Sequence, residues 1–247
     1  MNIEDTLGSL RTEMPGVTTE AIRLGTGLVD GFDVFESPIG DVVVGFNVRG
    51  VSFVDLAAGF DPDETGRGAV QATPPKGWDA KIRRAIERGR PADLPVDLGG
   101  VTSFQRSVLE VAATIPYGQV RPYGWLADHV GNRGAVRAVG STMARNPVPL
   151  IIPCHRVVRS DGRIGNYSLG GAHNKTDLLG HEGVDLDRLA SLAARNIRFV
   201  GSDTTGIFCL PTCSHARRIS DAHQVELKSA AAAEAAGFRP CKVCEPA

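Results

Sequence analysis

The chain has 247 residues, of which 42% are hydrophobic and 22% charged, an ordinary composition for a globular protein of one to three domains. The formal net charge of −1 is unevenly divided, because residues 1–100 carry 10 Lys/Arg against 16 Asp/Glu and residues 101–247 carry 17 against 12. The N-terminal residues Met1 to Asp5 are acidic and lead into no long apolar run. We therefore expect neither a signal peptide nor a transmembrane helix, and a cytoplasmic protein without a membrane partner.

The N-terminal hundred residues show the pattern of a small sheet. Three runs of β-branched and aromatic residues, separated by turn-forming Pro, Gly, Asn and Asp, predict an antiparallel meander. The runs are residues 32–36, 42–46 and 51–56. A helix is predicted from Trp78 to Arg90, and Pro91 and Pro95 then mark a linker.

The next segment is predicted to be helical. Thr102 and Gln105 have the spacing of a capping box, and Pro116 should end the helix at Ile115.

A pair of helices should follow, one at 123–130 and one at 133–145, joined at Gly131 and Asn132. This is the layout of a helix-turn-helix. The second helix is rich in Gly, Ala and Ser, and such small residues allow a helix to approach another surface closely.

The segment Ile152-Pro153-Cys154-His155-Arg156-Val157 places a thiol next to an imidazole. A neighbouring base is the usual means of producing a reactive thiolate at neutral pH. The apolar run before Cys154 predicts a buried strand that delivers the cysteine to the floor of a pocket.

Together with its surroundings, this segment resembles the active-site motif of the O6-alkylguanine-DNA alkyltransferases, which transfer an alkyl group from damaged guanine to their own cysteine. The resemblance extends from about Phe32 to Gly183 and includes several motifs in the family's order. These are Gly118-Gln119-Val120 with Tyr123, Ala135 to Gly140, Asn146 to Pro149, the cysteine motif, and Gly165 to Ser168.

The resemblance implies a role for each matching residue. Asn146, His155 and Glu182 would form a relay with Cys154, in which Glu182 orients His155 and His155 takes the thiol proton through a water. Tyr123 would offer its hydroxyl to the substrate. Tyr167 and Ser168 would line the pocket, and the carbonyls of Cys154 and Val157 would accept from the guanine amino group.

The resemblance also implies how DNA is bound. The partner would be alkylated double-stranded DNA, contacted in its minor groove by the second helix of the pair, with the damaged base flipped out of the duplex. Arg137 would occupy the position of the extruded base. Residues 101–163 contain eight arginines and no lysine, as expected where guanidinium groups contact phosphates. On charge alone, a solvated basic face explains this bias equally well.

Each candidate also has an ordinary structural explanation. A single cysteine after an apolar run is most often a core residue, His155 can be a hydrogen-bonded core histidine, and Glu182 can pair with an arginine. The ordered set favours catalysis. One alternative is a non-catalytic module that recognises alkylated DNA, which has no need of a reactive Cys154. Another is a zinc-dependent DNA-binding regulator, which requires a second DNA-reading element that the sequence does not indicate.

Four of the five cysteines lie in two close pairs near the C-terminus, Cys209 with Cys213 and Cys241 with Cys244, with 27 residues between the pairs. Four such thiolates favour tetrahedral zinc over disulfides in a reducing compartment. An alanine-rich run, residues 229–236, is predicted to be a helix capped by Gly237.

The segment from about Phe199 to Pro246 resembles the metal-binding domain of Ada, through the runs Thr204 to Cys209 and Ala236 to Cys241. In that family the first cysteine accepts a methyl group from a DNA phosphotriester. Cys209 holds this position and would be a second acceptor, whereas a purely structural zinc site would only add affinity for DNA.

Together these observations predict an α+β monomer of three domains. Residues 1–97 would form a small antiparallel sheet domain, which the resemblance implies to be of ribonuclease-H-like type. Residues 98–185 would form the helical alkyltransferase domain with its helix-turn-helix, and residues 186–247 a small zinc-bound α/β module.

Overall fold

A computed structural model of the chain describes residues 19–66, 68–89, 93–160 and 163–246. The acidic segment from Met1 to Asp5, from which the cellular location was predicted, lies outside these residues. Within the described part of the chain, no helix is both long enough and apolar enough to cross a membrane.

The fold is mixed α+β, with small sheets placed before and after a helical middle region. The helices are α1 (Thr19–Gly25), α2 (Asp79–Arg88), α3 (Ser103–Ala113), α4 (Tyr123–His129), α5 (Val136–Ala144), α6 (Gly171–His181), α7 (Leu186–Ala194) and α8 (Ala230–Ala235). The strands are β1 (Asp30–Phe35), β2 (Val42–Asn47), β3 (Gly50–Leu56), β4 (Ala69–Gln71), β5 (Arg121–Pro122), β6 (Val157–Val158), β7 (Phe199–Ser202), β8 (Ile207–Cys209), β9 (Gln224–Leu227) and β10 (Arg239–Pro240).

The N-terminal sheet has the order β3-β2-β1-β4. The three predicted strands are present and antiparallel, but β4 pairs with β1 in parallel, so the expectation of a purely antiparallel sheet is wrong. The sequence Ala69-Val70-Gln71 is too short and too weakly patterned to indicate a strand. It forms one because the outer edge of β1 supplies hydrogen-bonding partners.

The helical predictions hold with small changes at the boundaries. The capping box of Thr102 and Gln105 is formed at the start of α3, which ends at Ala113, two residues earlier than predicted. Pro116 disfavours helical geometry in the residue before it. The second helix of the predicted pair begins as a 3-10 turn at Arg133–Ala135 and continues as α5.

The prediction of a strand leading to Cys154 is wrong. Residues 149–158 are buried, but their backbone is irregular, with Leu150 at φ 69°, and Cys154–Arg156 forms a 3-10 turn. Pro147, Pro149 and Pro153 lack the N–H donors that a strand needs for its ladder. The apolar run is therefore buried without being a strand.

The larger hydrophobic cluster of the described residues extends from the N-terminal sheet through the helical region to the C-terminal sheet, whose order is β10-β8-β7-β9. Phe35, Leu109, Cys154 and Phe208 all belong to it. This continuity fixes the position of the Cys154 turn relative to the C-terminal sheet.

Candidate active site and metal centre

Cys154 is buried, with 2% of its surface exposed. Its Sγ accepts a hydrogen bond from Nδ2 of Asn146 at 3.1 Å. The same amide donates to the carbonyl of Ile152 at 2.8 Å, and its oxygen accepts from the N–H of Val148 at 3.1 Å. Asn146 therefore holds the irregular segment before the cysteine and contacts the sulfur with the same side chain.

His155 and Glu182 also meet as predicted, with His155 Nε2 2.8 Å from Glu182 Oε1. Glu182 approaches from the C-terminal end of α6, and its Oε2 accepts from the N–H of Gly118 at 2.9 Å. The other ring nitrogen of His155, Nδ1, is buried and has no hydrogen-bond partner within the described residues. Nε2 of the imidazole is thus held by Glu182, and Nδ1 remains able to take a proton.

Arg156 also belongs to this cluster of side chains, and the sequence analysis quoted it without giving it a role. Its guanidinium is fully buried and pairs with both oxygens of Glu182, at 2.8 and 2.9 Å. It also donates to the carbonyls of Ile115 at 2.7 Å and Arg88 at 2.6 Å. The sequence signal for this pairing was the position of Arg156 within the apolar run around Cys154, since buried arginines are normally paired.

Glycine is required where α2 ends against this arginine. Gly89 has φ 61°, and a Cβ added there would lie 2.6 Å from a terminal nitrogen of Arg156. Arg156 therefore joins the end of α2 to the Cys154–Arg156 turn through contacts that no side chain on residue 89 would allow.

The site environment shifts the pKa values of these groups in opposite directions. Burial raises the pKa of the Cys154 thiol, while the Asn146 hydrogen bond and the charge of Lys175 lower it. Burial lowers the pKa of His155 and outweighs its contact with Glu182. Burial would raise the pKa of Glu182, but hydrogen bonds from His155 and Arg156 hold it at about 2. At neutral pH the carboxylate is ionised and the imidazole is neutral, which is the form a general base requires.

Lys175 is a second residue that the sequence analysis missed. It is 1% exposed, and its Nζ donates to the carbonyl of Val157 at 2.6 Å. Burial lowers its pKa to about 8, while the nearby Cys154 acts in the opposite direction. Its place on the buried side of α6, beside Leu178 and Leu179, was the only sequence signal.

The predicted substrate-contacting residues lie around this centre. Burial and the charge of Cys154 raise the pKa of Tyr123, which is partly buried at the start of α4. The Tyr167 ring is edge-on to His155, with 6.1 Å between ring centroids. Val157 is buried in β6, and Ser168, next to Tyr167 in the chain, is exposed.

The predicted DNA-contacting helix presents its small residues to solvent. Arg137 is exposed on α5, next to exposed Val136 and Ala138, and it makes no hydrogen bond or ion pair within the described part of the chain. The arginine count over 101–163 overstated the basic surface, because Arg121 and Arg156 are buried.

The four C-terminal cysteines converge as their spacing predicted. All are buried, and their Sγ atoms lie within 4.8 Å of one another. Four thiolates at the usual zinc–sulfur distance are separated by about 3.8 Å, so this arrangement fits a tetrahedral metal. Hydrogen bonding with Cys213 raises the pKa of the Cys209 thiol. The four sulfurs therefore need a cation before all can ionise, and we identify them as a metal-binding cluster.

A cavity of about 410 Å³ opens beside this cluster, and of the four cysteines Cys209 lines it. His215, Arg218 and His223 are on its wall, with the hydroxyls of Thr204 and Ser220. The cavity combines one ligand sulfur with basic and hydroxyl side chains, which are groups that bind phosphate oxygens.

Comparison with known proteins gives two matching families. Residues 103–184 match the model described as the DNA-binding domain of 6-O-methylguanine DNA methyltransferase, and residues 191–247 match the model described as the metal-binding domain of Ada.

Individual relatives agree with these matches. A Mus musculus methylated-DNA–protein-cysteine methyltransferase is 38% identical over 179 residues, which cover 65% of this chain and 84% of that protein. A Shigella flexneri protein of the same name is 42% identical over 116 residues, covering 46% of this chain and 67% of that one. The crystal structure of Mycobacterium tuberculosis OGT in complex with DNA superposes with a TM-score of 0.51 at 30% identity, covering 65% of this chain and 98% of that chain.

Proposed function

Because the chain belongs to the methylated-DNA–protein-cysteine methyltransferase family, we propose that it repairs DNA by moving an alkyl group from O6-alkylguanine directly to Cys154. The observation that carries the proposal is the buried Cys154 sulfur, held by Asn146 beside the His155–Glu182 pair. The thiolate attacks the alkyl carbon, a carbon–sulfur bond forms, and the carbon–oxygen bond breaks with its electrons remaining on guanine. The thioether is stable, so each molecule reacts once. O4-alkylthymine carries its alkyl group on a similar exocyclic oxygen and is a second candidate substrate.

The thiol proton passes to His155 in this mechanism. The neutral imidazole is available as the base, and its Nδ1 is the nitrogen not occupied by Glu182. One water between Nδ1 and the sulfur would carry the proton, and the ionised Glu182 would stabilise the imidazolium that forms.

The leaving guanine is neutralised and positioned by the residues around the pocket. Tyr123 donates a hydrogen bond from its hydroxyl to the leaving guanine, and this group is protonated at neutral pH because burial and the charge of Cys154 raise its pKa. The carbonyls of Cys154 and Val157 accept from the guanine amino group. Tyr167 and Ser168 line the pocket above them.

Helices α4 and α5 act as a helix-turn-helix on duplex DNA, with α5 in the minor groove. The exposure of Arg137 and of the small residues beside it supports this role. Extruding a base costs a few kcal/mol, and Arg137 would offset part of that cost by filling the gap in the stack.

The four-cysteine cluster is proposed to hold zinc, with Cys209, Cys213, Cys241 and Cys244 as its ligands. When bound, zinc keeps the four thiols ionised. Cys209 then acts as a second acceptor: its sulfur attacks the methyl carbon of a phosphotriester, and the phosphodiester leaves with the electrons of the broken carbon–oxygen bond. The cavity beside Cys209, with its basic and hydroxyl wall, supports this reading over a purely structural site.

The proposed architecture is a monomer of three domains, at 1–97, 98–185 and 186–247. The first, of ribonuclease-H-like type, supports the catalytic domain without taking part in the chemistry. The hydrogen bond from Arg156 to the end of α2 is the observation that favours this structural role.

The test is to incubate the zinc-loaded protein with duplex DNA that carries both O6-methylguanine and methyl phosphotriesters, and to locate added methyl groups by intact mass and peptide mapping. Methyl on Cys154 and Cys209 is expected. The Cys154→Ala variant should lose guanine repair and retain DNA binding. Full guanine repair by that variant would contradict the mechanism, and methyl on Cys154 alone would reduce the metal site to a structural role.

A further inference from the structure

Arg121 is a buried cation that the proposed reaction does not use. It is 2% exposed, and its guanidinium donates to the carbonyl of Val120 at 3.0 Å and to the side chain of Gln119 at 2.8 Å. Its Nε is buried and has no hydrogen-bond partner within the described residues. No carboxylate in the described part of the chain forms an ion pair with it. Burying a cation is costly unless a negative charge lies nearby.

The cysteine cluster, when it holds a metal, is a source of negative charge for this cation. Burial lowers the pKa of Arg121, and the four cysteine sulfurs, Cys244 first, act in the opposite direction. A divalent metal with four thiolates carries a net charge of −2, so the cluster itself needs a counter-cation.

Residues next to Arg121 contact the metal module, the C-terminal segment that contains the four cysteines, directly. The guanidinium carbon lies 5.4 Å from the centre of the Trp125 ring, and Trp125 donates its indole N–H to the carbonyl of Cys244 at 2.9 Å. The N–H of Val120 donates to Oγ1 of Thr212 at 2.9 Å, and Thr212 lies between two metal-binding cysteines.

On its other side, Arg121 is connected to the Cys154 turn. Strand β5 pairs in parallel with β6, with Arg121 opposite Val157 and Pro122 opposite Val158. Val157 directly follows the 3-10 turn of Cys154, and Pro122 directly precedes Tyr123. Arg121 therefore stands between the metal cluster and two residues of the proposed active site.

We propose that Arg121 is the buried counter-cation of the metal-bound cysteine cluster and, through the β5–β6 pair, a positioning residue for the Cys154 site. The inference rests on the proposed zinc site. Loss of the metal leaves the Arg121 charge unbalanced in the core, which disturbs the strand pair that holds the catalytic turn. The C-terminal module thus supports the Cys154 reaction as well as its own.

The test compares Arg121→Met, which removes the charge, with Arg121→Lys, which keeps it. Arg217→Met is the matched control, because Arg217 crosses the same interface to the carbonyl of Gly118 but is exposed. Zinc affinity is measured by competition with a chromogenic chelator. We expect Arg121→Met to bind zinc about 10- to 100-fold more weakly than wild type. Arg121→Lys should be intermediate, and the control unchanged.

Methyl transfer to Cys154 from duplex O6-methylguanine is measured in the same variants at saturating zinc. A rate about tenfold lower in Arg121→Met, with unchanged DNA affinity, is expected for a positioning residue. Wild-type zinc affinity in Arg121→Met, no rescue by Arg121→Lys, or an unchanged transfer rate would each overturn the proposal. If Arg121→Met does not fold, Arg121→Lys against Arg217→Lys gives the same comparison, and equal zinc affinity overturns it. A wild-type protein that binds no zinc would instead refute the proposed zinc site.

Discussion

At the residue scale, the reactivity of Cys154 reflects a balance between burial and specific contacts. Burial raises the pKa of the thiol, whereas Asn146 and Lys175 favour the thiolate. A buried thiol without such partners is inert. In the proposed mechanism, the buried site protects the nucleophile from solvent, and His155 removes its proton once substrate is present.

The Glu182→Gln variant tests the orientation of His155. The substitution removes the negative charge that pairs with His155 and Arg156. We expect methyl transfer to Cys154 to slow by about 10²- to 10⁴-fold, the usual contribution of general acid–base catalysis. Single-turnover kinetics with duplex O6-methylguanine measure this, with exposed Glu110→Gln as the control. An unchanged rate would exclude the relay.

Glu182 also gives the protein a predicted pH dependence. Its pKa is about 2 in the folded chain against an ordinary value of 4.5. Its contribution to stability is complete above pH 4.5 and is lost as the pH falls towards 2, because the unfolded chain binds the proton first. Urea unfolding between pH 5 and pH 3 should show a steeper loss for wild type than for Glu182→Gln. Parallel curves would mean that the ion pair contributes nothing.

At the element scale, helix α5 exposes the residues that the sequence analysis assigned to a DNA-contacting surface. Its buried face, Val139 and Met143, packs on the core, and its exposed face carries Arg137 and small residues. A helix with one small, uncharged strip and a single long cation suits a narrow groove better than a protein interface.

The Arg137→Ala variant separates base extrusion from chemistry. Transfer from duplex DNA should slow by about 10- to 100-fold, because the cost of an extruded base, a few kcal/mol, is no longer partly offset. Transfer from free O6-methylguanine, which needs no extrusion, should be unaffected. Arg145→Ala, at the exposed C-terminal end of the same helix, is the control. Equal slowing on the free base would place Arg137 in the chemistry instead.

At the scale of the whole molecule, the metal module is integrated into the catalytic region. The core is continuous, and hydrogen bonds from Val120 and Trp125 cross to Thr212 and Cys244. A change in the metal cluster should therefore alter the structure around Val120 and Trp125, outside the module.

Metal removal tests this integration. Structural zinc supplies about 10–16 kcal/mol of folding free energy in small zinc peptides, so a chelator should unfold the module and lower the melting temperature. Trp125 would lose its contact with Cys244, and in a Trp78→Phe variant it is the only remaining tryptophan. Its fluorescence should change on chelation and recover when zinc returns. Unchanged fluorescence and melting temperature would show that the cluster does not hold the module.

The sequence by itself determined the elements whose signals are local. The capping box of Thr102 and Gln105, the strands β1 to β3, the helix pair and the two cysteine pairs follow from spacing and residue type. The pairing of His155 with Glu182 followed from resemblance to a family, since the two residues are 27 positions apart in the sequence.

Tertiary structure alone decided the features that depend on distant partners. Strand β4 forms because β1 offers an edge, and the segment before Cys154 is buried without being a strand because prolines remove its ladder donors. Arg121 and Arg156 were counted among the arginines of a basic surface, and Lys175 was given no role. Each is buried beside charges or carbonyls supplied from elsewhere in the chain. Whether a charged side chain is buried depends on the partners that the fold brings to it, and no local pattern records those partners.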